Sequence, residues 1–229
     1  MRLPSDSDWA EAAASLRVRA KPGDEVQIWP PWAERARLFI DAVPVRAEED
    51  LRAADYPGVD RVWLLGLFRS PQSGIGEARE ALRARGATAG EWVRFGALQL
   101  EPWELHAPKL LADLTFAREE HEVDYVSRPC ALVRLPGRIS ARGPGGVLHV
   151  RAGIVGERAY QTFRGPVRVE VRADGTLLGE LTVQPTVPPV PGWRKLDLPA
   201  PPGDHLYEIA AAATDTDRPF CVAAWVSER

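Results

Sequence analysis

From Val167 to Arg172 the chain alternates strictly, with Val167, Val169 and Val171 apolar and Arg168, Glu170 and Arg172 charged. A period of two means a strand with one face buried. Runs of this kind recur through the second half of the chain: "CALVRL", "VLHVRAGIV", "PVRVEVRA", "TLLGELTVQ", "WRKLDLP", "HLYEIAAAAT" and "FCVAAWVS". Between the third and fourth runs stands "ADGT", with Asp174-Gly175 at its centre, a two-residue hairpin signal. "PTVPPVPGW" reads as irregular loop, because a proline cannot donate to a central ladder. Short strands at this spacing, punctuated by Gly and Pro, predict a β-sandwich or jelly roll over residues 129–229.

The first half has a different rhythm. In "DWAEAAASLRVRA" the residues Trp9, Ala12, Ala13 and Leu16 share one helical face, with Ser7 or Asp6 as the expected cap. "KPGD" is a turn, and "EVQIW" is a strand. Pro30 and Pro31 then end any ladder, and Pro31 suits the first turn of a helix through "WAERARLFI". "RVWLLGLF" is apolar throughout, as a central strand buried on both faces would be. "SGIGEAREALRARG" is a helix stopped by Gly86, and "TAGEWVRFGALQLEPW" a hairpin turning at Phe95-Gly96. The order predicts a small α/β domain over 1–105, Rossmann-like with a mixed sheet, joined by a linker at 106–128. The fold class is therefore α+β, in two domains.

Composition adds little beyond exclusion. The net charge of -3 gives no electrostatic footprint for a nucleic-acid partner. No run of about 18 apolar residues is present to cross a bilayer. The N-terminal stretch has no apolar core of a signal peptide, which leaves a cytoplasmic location as the expectation for a stand-alone chain. Six of the eight tryptophans precede residue 105, which sets the two halves apart again.

Candidate chemistry is sparse. Trp29 and Trp32 flank the two prolines at the carboxyl edge expected of the first sheet, where open α/β sheets bind ligands. "GIGEAR" follows a strand and opens a helix, placing Gly74 and Gly76 where a dinucleotide fingerprint would have them. The third glycine position holds Arg79, too large for close helix–strand packing. "REEHEVDY" gathers carboxylates around His121, but consecutive residues fan apart and do not converge on a metal; a solvated linker is expected. Nothing matches a nucleophile elbow or a zincin motif, no catalytic residue is assigned, and no cofactor is expected. Trp193, Tyr207 and Trp225 are candidates for stacking on sugar rings, with core packing as the alternative. Cys130 and Cys221 lie in the first and last β-runs, either as a disulfide across neighbouring terminal strands or as two buried thiols.

The stretch "DWAEAAASLRVRAKPGDEVQIWPPWAERARLF", then "RVWLLGLF", then "ALRARGATAGEWVRFGALQLEPWEL" resembles the soluble segment of GT-C-type, dolichyl-phosphate-mannose–protein mannosyltransferase-like membrane glycosyltransferases. The shared features are the D-W opening, the P-G-D turn before a strand, the P-P after it, the W-L strand and the closing hairpin. "VRVEVRADGTLLGELTV", "GWRKLDLP" and "GDHLYEIAAAA" resemble a galactose-binding-type jelly roll. The family's catalytic acid lies in a region this chain does not contain, so no catalytic residue carries over. The resemblance implies a non-catalytic, extracytoplasmic accessory module on the periplasmic face of the inner membrane. Its expected partners are a membrane glycosyltransferase domain of the same parent protein and a glycan. Two other readings stand beside it: a stand-alone carbohydrate-binding protein, and a small enzyme with a nucleotide or sugar-phosphate site in the α/β domain.

Overall fold

The computed structural model describes residues 3–29, 33–47, 55, 58–67, 75–116, 119–123, 126–156, 161–185 and 192–228. Pro30, Pro31, Trp32 and Gly74, singled out above, lie outside the described residues. The chain divides into two compact units, Met1–Pro108 and Lys109–Arg229. Strand is the prevailing secondary structure.

Unit 1 begins with α1 (Asp6–Arg19). Its cap is Ser5 rather than Ser7 or Asp6, because Ser5 and Asp8 satisfy each other: the Asp8 N–H donates to Ser5 Oγ and the Ser5 N–H to Asp8 Oδ2. β1 (Glu25–Trp29) follows, buried along its whole length. A five-residue 3₁₀ turn over Glu34–Leu38 stands where a longer α-helix is expected. Pro44 and the parallel strand β2 (Val45–Arg46) come so soon after it that the chain has room for a turn only. β3 (Arg61–Leu67), α2 (Ile75–Ala84), β4 (Thr88–Ala89), β5 (Val93–Phe95) and β6 (Leu98–Glu104) complete the unit. Gly86, at φ 79, ends α2: its N–H reaches Arg83 O and that of Ala87 reaches Leu82 O, the two bonds of a Schellman motif.

The sheet order is β2-β1-β3-β6-β4, with β5 also paired to β6. Only β2, β1 and β3 run parallel; β6 is antiparallel to β3, β4 and β5. The sheet is thus mixed, and three parallel strands do not amount to the doubly wound arrangement that "Rossmann-like" implies. Alternation along β3 sends Trp63 and Leu65 to one face, against Trp9, Ala12 and Leu16 of α1. Val62 and Leu64 point to the other, against Ala78 and Leu82 of α2. Both faces of β3 are consequently dry, which is why its sequence is uniformly apolar.

Unit 2 contains β7 (Leu110–Asp113), β8 (Glu120–Val123), β9 (Val126–Pro129), β10 (Ala131–Val133), β11 (Gly137–Ile154), β12 (Val167–Ala173), β13 (Thr176–Val183), β14 (Arg194–Ala213) and β15 (Phe220–Ser227). The stretch 106–128, expected as linker, carries strands: β7 pairs with β15, and β8 and β9 form a hairpin. Val123 is fully buried over Gly153 while Glu120 and Glu122 face outward, so the charged run is the solvated edge of a covering hairpin.

β11 and β14 run on through stretches expected to be loops. Their pairing shifts register between Pro144 and Gly146, opposite Pro201 and Pro202. A Cβ at Gly145 would run into Pro201 O, and one at Gly146 into Ser227 O, so only glycine lets the two strands come this close. Beyond the shift the strands change neighbours. Residues 147–154 of β11 pair with β15, whereas residues 207–213 of β14 pair with β12. One hydrogen-bonded sheet thereby folds into two layers. Leu148, Val150, Ile154, Phe220 and Val222 from one layer meet Val167, Val169, Val171 and Ile209 from the other in the main core. Gly179 of β13 packs against Leu198 across the layers. This is a β-sandwich built on bent strands.

Cys130 and Cys221 form a disulfide with Cα atoms 5.7 Å apart, closing a separation of 91 residues. β10 lies directly beside β15, with Leu132 opposite Cys221. The bridge sits on the outer face of that layer with Val123, Trp193, Ala223 and Trp225.

Candidate functional site

Trp29 is buried among Val62, Leu64, Ala78 and Trp103. Its backbone carbonyl and Ile75 crowd Gly66, so the ends of β1 and β3 do meet the start of α2. They meet as core, with no ring face left for a ligand. Gly76 has open space where a Cβ would stand, so no neighbouring protein atom requires glycine there. Trp193 is buried, donates Nε1–H to Val126 O at 2.9 Å, and lies under the Arg128 guanidinium. Tyr207 is 1% exposed and donates its hydroxyl to Pro144 O at 2.8 Å. No ring face is left for a sugar at these positions: Tyr207 packs in the core between the layers, while Trp193, with Trp225, lies on the outer face in the buried cluster beside the disulfide.

A cavity of about 250 Å³ opens in unit 1, lined by Lys21, Gly23, Asp24, Asp60, Arg61 and Glu104 among others. It lies at the amino ends of β1 and β3, opposite the edge expected to bind. Asp24 accepts from Arg61 Nε (2.9 Å), the Lys21 N–H (2.9 Å) and Trp63 Nε1 (2.8 Å). Burial acts to raise its pKa, but these donors bring it below the usual carboxylate value. With these donors gathered on its Oδ2, Asp24 is a clamp between turn and sheet.

On the outer face of β11, β14 and β15 stands a constellation that no linear motif announces. His149 Nδ1 is 2.7 Å from Asp197 Oδ1, and His149 Nε2 is 2.9 Å from Ser227 Oγ. The order is that of a Ser-His-Asp triad. Ser227, however, is 2% exposed, and its hydroxyl also donates to Glu228 O at 3.0 Å. Arg151, fully buried, bonds the same Asp197 oxygen at 2.7 Å. Burial acts to raise the Asp197 pKa, yet His149 and Arg151 hold it far below the usual carboxylate value. A nucleophile must reach its substrate; this one is sealed, and the network ties three neighbouring strands together.

The end of the sandwich where β11 and β14 finish and β12 and β15 begin is different. A 3₁₀ turn over Thr162–Arg164 holds Phe163 out, 82% exposed. Arg164, whose guanidinium carbon lies 5.7 Å from the Phe163 ring centroid, donates Nη1–H to Asp215 Oδ2 at 2.7 Å. Arg218 is 3% exposed and donates Nη1–H to Gly165 O at 2.7 Å. Arg218 Nε and Nη2, Arg164 Nε and Gln161 Oε1 have no hydrogen-bond partner among the described residues. Burial, with the neighbouring Arg164 charge, lowers the Arg218 pKa, although Asp215 acts the other way. An exposed aromatic beside a partly exposed charged pair is what a binding site needs and a core avoids. None of these residues was a sequence candidate: Phe163 and Arg218 lie in turns without periodicity, and only the fold brings them together.

No protein-family model matches the sequence, and no curated protein matches it. Among solved structures the chain is similar to the CBM51-2 (GlcNAc complex) and INT domains of Clostridium perfringens ZmpB, at 12% identity and TM-score 0.36 over 51% of this chain and 25% of that one. It thus spans a quarter of the ZmpB chain. It is also similar to the carbohydrate-binding module CBM36 in complex with calcium and xylotriose, at 12% identity and TM-score 0.32, over 50% of this chain and 95% of that one. The insecticidal δ-endotoxin Cry8Ea1 of Bacillus thuringiensis scores 0.34 at 7% identity, over 62% of this chain and 30% of that one. Carbohydrate-binding modules recur among these neighbours, but at such scores neither a ligand nor a site transfers to this chain. The resemblance to a membrane glycosyltransferase finds no matching family model or relative.

Proposed function

We propose that unit 2 is a glycan-binding module whose site is the loop end carrying Phe163. The observation that carries this is the exposed phenyl ring set beside Arg164, Asp215 and Arg218. Pyranose rings offer an apolar C–H face and a fringe of hydroxyls. A projecting aromatic covers the first, and charged planar groups hydrogen-bond the second. Jelly-roll sandwiches serve lectins in this way.

The test is isothermal titration of the intact chain with a panel of oligosaccharides, repeated on Phe163→Ala. Removing an exposed ring leaves the core untouched, so the melting temperature stays within a degree or two. The dissociation constant of the bound sugar rises roughly tenfold, as loss of about 1.4 kcal/mol of stacking requires. If no saccharide binds, or the variant binds as tightly as the parent, the reading fails.

A second reading, an extracytoplasmic accessory module beside a membrane glycosyltransferase, draws support from the disulfide, since such bridges persist in oxidising compartments. Immunoblotting of fractionated native cells tests it. A membrane-bound band much heavier than 25.2 kDa is expected on this reading, and a soluble band of that mass opposes it.

A further inference from the structure

The cavity of about 250 Å³ in unit 1 stands where three elements come together. The turn after α1 brings Lys21, Pro22 and Asp24, the start of β3 brings Asp60 and Arg61, and the end of β6 places Glu104 opposite Arg61. Its polar groups are only partly engaged. Asp24 is 6% exposed, and its donors all meet on Oδ2, which leaves Oδ1 without a hydrogen-bond partner. Oδ1 is not sealed, so it opens on the cavity that Asp24 lines. Arg61 gives Nε and Nη2 to Asp24 and to Arg19 O, while its Nη1 lies 4.0 Å from Glu104 Oε1, beyond hydrogen-bond reach. Among the described residues, the Lys21 ammonium and the Asp60 carboxylate enter no hydrogen bond or ion pair. Donors and acceptors thus share one cavity without satisfying each other, which leaves capacity for a ligand.

The charge balance sets the class of that ligand. Arg19, whose guanidinium lies over the Trp63 ring as that of Arg61 does, joins Lys21 and Arg61 on the positive side. Asp24, Asp60 and Glu104 are negative, and the adjacent Arg46–Glu25 pair cancels itself. With no net charge left over, neither a simple cation nor a simple anion is favoured. A zwitterion is, because it meets both signs at once: an ammonium donates to Asp24 Oδ1 and Asp60, and a carboxylate accepts from Lys21 and Arg61 Nη1. The volume lies below the roughly 300–1,000 Å³ of sites for drug-sized ligands. Among the described lining residues Pro22 carries the only apolar side chain, so a large apolar group on the ligand has nothing to pack against.

We infer that this cavity binds a small, polar free α-amino acid, with Asp24 and Asp60 taking its ammonium group and Lys21 and Arg61 its carboxylate. The inference concerns unit 1 and stands apart from the glycan reading of unit 2.

The experiment titrates the intact chain with glycine and L-serine at pH 7. Their amides, which lack the negative charge, their N-acetyl derivatives, which lack the positive one, and glycerol, which has neither, serve as comparisons. At least one of the two amino acids is expected to bind, and every comparison compound to bind it at least about tenfold more weakly. Lys21→Gln and Asp60→Asn are expected to weaken the amino acid by the same order while leaving the melting temperature unchanged, since both side chains are exposed. Asp24 is left as it is, because it holds the turn to the sheet. Failure of both amino acids to bind at millimolar concentration overturns the inference. An amide, an acetylated derivative or glycerol binding as tightly as the amino acid also overturns it, because the two charges are then not read. Undiminished binding by either variant overturns it as well, since the amino acid is then held elsewhere.

Discussion

Asp24 shows how much one side chain in this protein can hold. It joins Lys21 of the turn to Arg61 and Trp63 of β3. Its pKa is depressed on folding, so its stabilisation is present in full above the unfolded value near 3.8 and is lost as pH falls through the folded value. Asp197 adds to the same trend, being depressed further. The protein is therefore expected to lose stability steadily below about pH 4, read from urea midpoints at successive pH values. Asp24→Asn should cost about 3 kcal/mol at pH 7, because it strands a largely buried Arg61, and should flatten that acid limb. Ser227 yields a contrary expectation: despite its triad-like neighbours it should take no adduct from phenylmethanesulfonyl fluoride in the native state, by intact-mass spectrometry. A labelled Ser227 would mean the site opens. None of these groupings was legible in the sequence. Asp24, Arg61 and Trp63 meet through a parallel sheet, and His149, Asp197 and Ser227 through three strands far apart in the chain. A single sequence carries periodicity, and register between distant strands leaves no trace in it.

Elements were far more legible than sites. The alternation of Val167, Val169 and Val171 places β12 correctly, and Asp174-Gly175 forms the hairpin turn with both residues at positive φ. The apolar run at β3 lies in the middle of its sheet for the reason its composition suggests. What misled was proline. "WRKLDLP" and "HLYEIAAAAT" read as two separate strands, yet β14 continues from one to the other through Pro201 and Pro202, with a shift of register opposite them. Pro30 and Pro31 read as the start of a helix, and the described residues that follow make only a 3₁₀ turn. Gly145 is the residue on which the bend depends. Gly145→Val would drive a branched side chain into Pro201 O, and is expected to cost about 3 kcal/mol. The measurement is the urea midpoint against wild type; Gly156→Ala, where a Cβ has open space and only a positive φ of 70 opposes it, should cost nearer 1 kcal/mol.

At the scale of the molecule, two cores divide the labour. Unit 1 has a core on each face of its sheet, and the ion pairs Arg61–Asp24, Arg46–Glu25 and Arg79–Glu101 among its described residues close within it. Unit 2 has its own core, its own disulfide and the loop end with Phe163. A unit with a complete core should fold by itself. The fragment Lys109–Arg229 is accordingly expected to unfold in one cooperative transition and to bind the same saccharide as the intact chain. Within it, the Cys130–Cys221 bridge closes a 91-residue separation, worth roughly 4–5 kcal/mol through the entropy it removes from the unfolded chain. Reduction, or Cys130→Ser with Cys221→Ser, should lower the melting temperature by on the order of 10–20 °C. Saccharide affinity at 15 °C should hold, because the bridge lies on the outer face with Trp193 and Trp225 while Phe163 lies on the turn before β12. If reduction abolished binding while the far-ultraviolet spectrum stayed native, the bridge, whose Cys221 lies three residues beyond Arg218, would be what holds the loop end in its binding arrangement.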